Sequence, residues 1–430
     1  MTRFVFVFFL LFAVDSVLIS QSFQTDKRLQ GLLDSGEYFR FRVELEQNLL
    51  SEKWSRPTSE SLYFLAWNNF LFNEPAASNL NIEVLVNSDK YDCPDSTVAE
   101  MLVLHFQNDI RLFHYKTADS VCTVLLSEYT AVLKPAMISE IKNTGAIVKA
   151  LVAVPAQTIE RQGDLEMDYK RDLVNLIRIA VTVNEKTENF IFDTGANFSC
   201  VSESQAKEMG IKILDADFAV TSSSRSAVQS KLGVADKLLI GNITFRNVVF
   251  IVLPDKSLKF AGGIYKIKGI IGLPIIAQMK QVTITKAGKL LSTEKVSKDQ
   301  HAVNLALEGN TPVVSVNFYG ADHNYVFDTG AAASIFGNKY YLAYKDSLCA
   351  SAEGTSHIGG AGGVQKVTIR TMKNVRYKIS GVSGTLKSVT IQQSGVTDVL
   401  GENFGIVGED IFMQWEEMTM NFDGMFLEFR

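Results

Sequence analysis

The second half of this 430-residue chain repeats itself. Phe190-Ile191-Phe192-Asp193-Thr194-Gly195-Ala196 returns 135 residues later as Tyr325-Val326-Phe327-Asp328-Thr329-Gly330-Ala331. Six residues beyond each Asp, a serine opens a short apolar stretch: Ser199-Cys200-Val201 and Ser334-Ile335-Phe336. Gly269-Ile270-Ile271-Gly272 returns as Gly405-Ile406-Val407-Gly408 at an offset of 136, and the turn glycines Gly288 and Gly424 keep that offset. Four landmarks in one register describe two copies of one unit. Duplication constrains the fold strongly. Two similar lobes related by an approximate two-fold axis bring their equivalent loops together at that axis.

The loops so paired carry chemistry. An apolar strand running into Asp-Thr-Gly sets a carboxylate at a strand end. Glycine permits the turn, and threonine supplies a hydroxyl to tie the loop down. Two carboxylates facing each other cannot both ionise easily, so they share a proton and titrate as a unit. The ionised member can take a proton from a water held between them, and that water attacks a peptide carbonyl. The protonated member stabilises the oxyanion and helps protonate the leaving nitrogen. Asp193 and Asp328 are therefore the candidate catalytic pair, with Thr194, Gly195, Thr329 and Gly330 supporting the two loops.

No metal or cofactor is expected. The four cysteines fit no zinc spacing, and the five histidines show no metal spacing. The glycine-rich run from His357 to Gly363 lacks the Lys-Ser/Thr of a phosphate loop and reads as a flap or plain loop. Gly381-Val382-Ser383-Gly384 brings its second glycine one position too early for a nucleophile elbow.

The whole pattern resembles the retropepsin-like aspartic proteases, including bacterial single-chain members with fused lobes. The resemblance covers roughly Leu173 to Arg430. It implies a closed β lobe in each copy, a substrate cleft between lobes, and hairpin flaps over it at Thr221–Val228 and His357–Gly363. It further implies that the Ile-Ile-Gly and Ile-Val-Gly segments lie against the Asp loops, and that the Thr194 and Thr329 hydroxyls cross-link them. A polypeptide substrate follows, and a monomer suffices because one chain supplies both Asp residues. The chain also departs from the family pattern. Retroviral members carry acidic residues after the Ala, where this chain has Asn197 and Ala332. They often carry Arg after the later Gly, where this chain has Leu273 and Glu409. The alternative function is a non-catalytic peptide- or protein-binding module on the same scaffold.

The remainder of the chain has a different texture. Arg3 precedes the apolar run Phe4–Val14, which reads as a secretory signal cleaved after Ser20. Export to the periplasm or medium is expected, with no membrane span after cleavage. Apolar stretches starting at Leu29, Leu62 and Met101 predict helical hairpins, either a tetratricopeptide-like array or an irregular helical domain. Such a domain could recruit a protein partner. Gln157–Lys170 is polar and reads as a linker. The expected fold is therefore α+β and multidomain, with a helical domain before an all-β bilobal protease domain. Its parts are a signal at 1–20, a helical domain at 21–156, a linker at 157–170, and lobes at 171–295 and 296–430. The net charge of −5 with no basic run argues against a nucleic-acid partner. Cys93 and Cys122 could pair in an oxidising compartment, whereas Cys200 and Cys349 read as buried thiols. Asn197-Phe198-Ser199 and Asn242-Ile243-Thr244 are sequons, meaningful only in a glycosylating host.

Overall fold

The computed structural model describes residues 25–50, 54, 57–87, 93–221, 227–295, 301–348, 351–360, 363–393 and 403–430. The expected signal segment, Cys349, and the middle of each expected flap (222–226 and 361–362) lie outside them. The chain forms two compact units. One is helical, ends at Ala156 and includes Ala306–Gly309; the other holds 157–305 and 310–430.

Among the described residues, seven helices build the first unit: α1 Lys27–Asp34, α2 Tyr38–Leu49, α3 Ser59–Leu71, α4 Pro75–Asn87, α5 Asp95–Arg111, α6 Tyr115–Glu128 and α7 Pro135–Leu151. The turns after α1, α3 and α5 share one device. A single left-handed residue ends the helix: Gly36 (φ 77°), Asn73 (φ 58°) and Phe113 (φ 59°). The next N–H then reaches back five residues. Glu37 donates to Leu32 O, Glu74 to Asn69 O and His114 to Asp109 O, each at 2.8 Å. This satisfies a last-turn carbonyl and aims the chain back along the helix it has just left. Buried aromatics fill the space between helices, with Phe41 and Phe64 centroids 5.9 Å apart. A half-buried acid, Glu100, sits beside them. Glu100 accepts from Tyr63 Oη–H at 2.8 Å and from Trp67 Nε1–H at 3.1 Å. Burial raises its pKa to about 7.

Cys122 is a free thiol, so the expected pairing with Cys93 is not formed in this structure. Cys122 lies in α6 with its sulfur packed on Gly145 of α7 and 3.7 Å from Ile141 O. It therefore points at α7.

The second unit is β-rich. In its first lobe, Ile177–Val183 pairs antiparallel with Lys186–Phe192, setting Arg178 opposite Ile191. Ile177, Ile179, Val181 and Val183 are all buried, whereas the residues between them are not. That alternation is what a strand with one inward face requires. These strands belong to a nine-stranded sheet. The second lobe repeats the hairpin with Thr311–Phe318 and Ala321–Phe327, inside an eight-stranded sheet. Each lobe also carries a long antiparallel hairpin at its expected flap, Lys212–Thr221 with Ala227–Ile240 and Ala352–Gly360 with Gly363–Ile379.

The lobes are joined by a five-stranded antiparallel sheet. Gln281–Thr285 of the first lobe runs beside Glu417–Asn421 of the second, with Thr283 directly opposite Thr419. Their hydroxyls are 2.8 Å apart, and the two residues are 136 apart in sequence. Repeat-equivalent residues thus meet on the pseudo-two-fold axis.

Two expectations need correcting. Residues 157–170 are not a linker. Thr158–Arg161 pairs with Ile243–Leu253, and Leu165–Asp168 pairs with Lys289–Ser292. Gln157 Nε2 also donates to Gln278 Oε1 at 2.9 Å, and Arg161 to Ser292 Oγ at 2.7 Å. A strand with much of its surface in solvent is polar, so composition alone reads it as a connection. The second correction is smaller. Gly288 takes φ 88°, but in the matching hairpin the left-handed residue is Met425 (φ 51°), not Gly424.

Candidate active site

The first Asp loop is built by three strands. Lys186–Phe192 delivers Asp193, the chain turns through Thr194-Gly195-Ala196, and Ser199–Ser202 carries it away. Gly269–Ile271 then inserts between these two strands, parallel to the first (Ile270 opposite Ile191) and antiparallel to the second (Ile270 opposite Cys200). The second lobe repeats this crossing. Gly405–Val407 lies parallel to Ala321–Phe327 and antiparallel to Ile335–Phe336. The inserted strand fixes the carboxylate's own backbone: Asp193 N–H donates to Ile271 O at 3.0 Å, and Asp328 N–H to Val407 O at 3.1 Å. Glycine is required here because side chains would collide. A Cβ at Gly272 would stand 2.5 Å from Ala196 O.

Both carboxylates are buried, Asp193 at 1% exposure and Asp328 at 0%. Each accepts from the Gly N–H of its own loop, Gly195 to Asp193 Oδ1 at 2.8 Å and Gly330 to Asp328 Oδ1 at 2.7 Å. They also face each other. A Cβ at Gly195 would lie 2.7 Å from Asp328 Cγ, and one at Gly330 would overlap the Asp193 carboxyl. Burial, and then the charge of Asp328, holds Asp193 well above the usual carboxylate range. Burial raises Asp328 as well. The pair therefore keeps a proton into the range where isolated carboxylates are ionised.

Threonine locks the two loops together. Thr194 N–H donates to Thr329 Oγ1 at 3.0 Å, and Thr329 N–H to Thr194 Oγ1 at 3.1 Å. Each hydroxyl then donates across the axis, Thr194 to Phe327 O at 3.0 Å and Thr329 to Phe192 O at 2.9 Å. All six residues singled out in the sequence, Asp193, Thr194, Gly195, Asp328, Thr329 and Gly330, thus converge at one place.

Residues 179–275 match the family model described as aspartyl protease. Over those residues, the first lobe is similar to the aspartyl protease family. Among solved structures it is similar to a retropepsin-like aspartic protease from Rickettsia conorii, with 18% identity. That match covers 31% of this chain and 93% of the other, with a TM-score of 0.22. No curated protein matches the chain.

Several supporting residues of this site escaped the sequence reading. Ser199 Oγ accepts the Gly272 N–H and Ser334 Oγ accepts the Gly408 N–H, both at 3.1 Å. Their matched position six residues past each Asp was a signal, but it said nothing of the bond. Glu409, where retroviral members often carry arginine, makes an ion pair, 2.6 Å from Arg171. Its carboxyl is buried, which pushes its pKa up to about 7. Asn197, at the position of a retroviral acid, is 1% exposed, and among the described residues neither polar atom of its amide has a hydrogen-bond partner.

Proposed function

We propose that this chain is an aspartic endopeptidase in which Asp193 and Asp328 activate a water molecule to hydrolyse peptide bonds. One observation carries the reading: two buried, mutually facing carboxylates on duplicated loops that are cross-linked by Thr194 and Thr329. Their raised affinity for protons supplies one acid and one base at the same pH. The base takes a proton from water as it attacks the substrate carbonyl. The acid hydrogen-bonds the developing oxyanion, and a proton passes to the departing nitrogen. Loop N–H groups already point at both carboxylates, so little reorganisation accompanies the charge shift.

The reading extends to the rest of the chain. The apolar N-terminal run directs export to the periplasm or medium. Among the described residues, no helix is long and apolar enough to cross a membrane. The helical unit is a tetratricopeptide-like array that recruits a protein partner or substrate. Its support is the recurrence of one turn geometry at Gly36, Asn73 and Phe113.

The decisive experiment is turnover of casein by the purified chain, with and without an active-site inhibitor of aspartic proteases. Inhibitor-sensitive cleavage that vanishes in Asp193→Asn supports the proposal. Cleavage that survives both treatments, or no cleavage between pH 3 and 8 by a correctly folded chain, refutes it.

A further inference from the structure

The hydrogen bonds around the two Asp-loop serines match except at one position. In both lobes a serine hydroxyl receives the N–H of the crossing glycine. In both, the carbonyl of the loop alanine receives the next N–H, Leu273 to Ala196 at 2.8 Å and Glu409 to Ala331 at 2.9 Å. The following residue differs. The first lobe has Pro274, which offers no side-chain acceptor. The second has Asp410, whose Oδ1 accepts from Ser334 N–H at 2.8 Å and from Ser334 Oγ–H at 2.6 Å. Gly408 N–H, Ser334 Oγ–H and Asp410 Oδ1 thus form one hydrogen-bonded chain ending on a carboxylate. Bonds to an ionised acceptor are shorter and stronger than neutral ones, and the 2.6 Å contact fits that class.

We propose that Asp410 is a positioning residue, which anchors the Asp328 loop through Ser334 and gives an otherwise symmetric dyad one carboxylate-held loop and one without. The inference rests on the peptidase reading and deepens it. Glu409, beside Asp410 in the chain, is buried against Arg171, and Tyr377 on the strand Gly363–Ile379 feels the Asp410 charge. Burial raises Asp410 to about 6. Its carboxylate is therefore neutralised as pH falls through that value, and the anchor weakens in acid.

The test is peptide cleavage between pH 4 and 8 by Asp410→Asn, Ser334→Ala, the double variant, and Ser199→Ala as the first-lobe control. At pH 7, D410N should lose roughly tenfold in kcat with little change in KM, the scale expected when a reacting group is displaced slightly. The deficit should shrink below about pH 6, where wild-type Asp410 is itself being protonated. The double variant should be no worse than S334A alone, because both changes cut one chain. S199A should lose less than S334A. Amide hydrogen exchange gives a readout that needs no turnover: D410N should speed exchange at Gly330 and Ala331 and leave Gly195 and Ala196 unchanged. Unchanged kcat in D410N, additive losses, or equal exchange in both loops would overturn the proposal. A wild-type chain that cleaves nothing removes the peptidase reading instead, and exchange then decides the anchor by itself.

Discussion

Thr194 and Thr329 exchange backbone N–H bonds to each other's hydroxyls at 3.0 and 3.1 Å, although 135 residues separate them. Each hydroxyl is at once acceptor and donor, so each threonine satisfies one N–H and one carbonyl of the opposite lobe. Removing either side chain leaves two buried main-chain groups without partners. Thr194→Ala or Thr329→Ala should each destabilise the β unit by about 2–6 kcal/mol, from about 1–3 kcal/mol for each of the two orphaned groups. Thr→Ser at either position keeps both bonds and should be close to neutral. Urea denaturation with tryptophan fluorescence measures the difference, and similar losses for Ala and Ser would show that packing of the methyl, not bonding, matters.

Asp193→Asn and Asp328→Asn should each abolish turnover, by roughly 10³-fold or more, and the double variant should be no worse than either alone. In the proposed mechanism the two carboxylates act as one unit, so losing either half loses the function. Folding should be retained, because a neutral amide relieves the cost of two buried carboxyls. Circular dichroism and casein turnover on the same preparations check both halves of the statement. Near wild-type turnover in one single variant would mean that its Asp is not catalytic.

Activity per molecule should not fall on dilution, because one chain carries both loops. Specific activity is to be compared across a thousandfold dilution series alongside light scattering. A steep loss that follows a dimer-to-monomer transition would contradict a self-sufficient site.

Stability of the helical unit should fall as pH rises. Burial raises Glu100 from an ordinary value of 4.5 to about 7 in the folded state. A group that binds its proton more tightly when folded adds stability below its unfolded pKa, and that stability is lost as pH climbs through the folded value. The difference corresponds to about 3 kcal/mol between pH 4 and pH 8. Glu100→Gln keeps an oxygen acceptor for Tyr63 and Trp67 and should remove this pH dependence. Thermal melts from pH 4 to 8 will show it, and identical slopes in both proteins would exclude Glu100 as the source.

Limited proteolysis should spare residues 157–170 in the folded chain. Thr158–Arg161 and Leu165–Asp168 are both paired in sheets, and a protease needs an extended, unpaired segment in its cleft. Mass spectrometry of early trypsin fragments is the measurement. Early cleavage after Arg161 or Lys170 would show that the pairing opens readily.

The bilobal plan was legible in the sequence because the fold is a repeat. A strand-turn motif appearing twice in one register specifies two similar lobes, and the approximate symmetry brings Asp193 and Asp328 together with no further information. The polar edge strands of 157–170 were illegible for the opposite reason. Their partners, Ile243–Leu253 and Lys289–Ser292, lie far along the chain, and pairing with a distant partner leaves no local periodicity. In the helical unit, the common turn was hidden because Asn73 and Phe113 take the left-handed conformation that sequence reading expects of a glycine such as Gly36.

The sequence by itself determined which two carboxylates would meet and which threonines stood beside them, since identical local motifs fold into identical loops. Only the tertiary structure decided how those loops are supported. Ser334 and Asp410 are 76 residues apart, and Arg171 and Glu409 are 238 apart. Each pair unites groups from separate elements in a buried site, where an unpaired charge or hydroxyl would be costly. That cost selects the partner by position in space, and no local pattern in the chain records it.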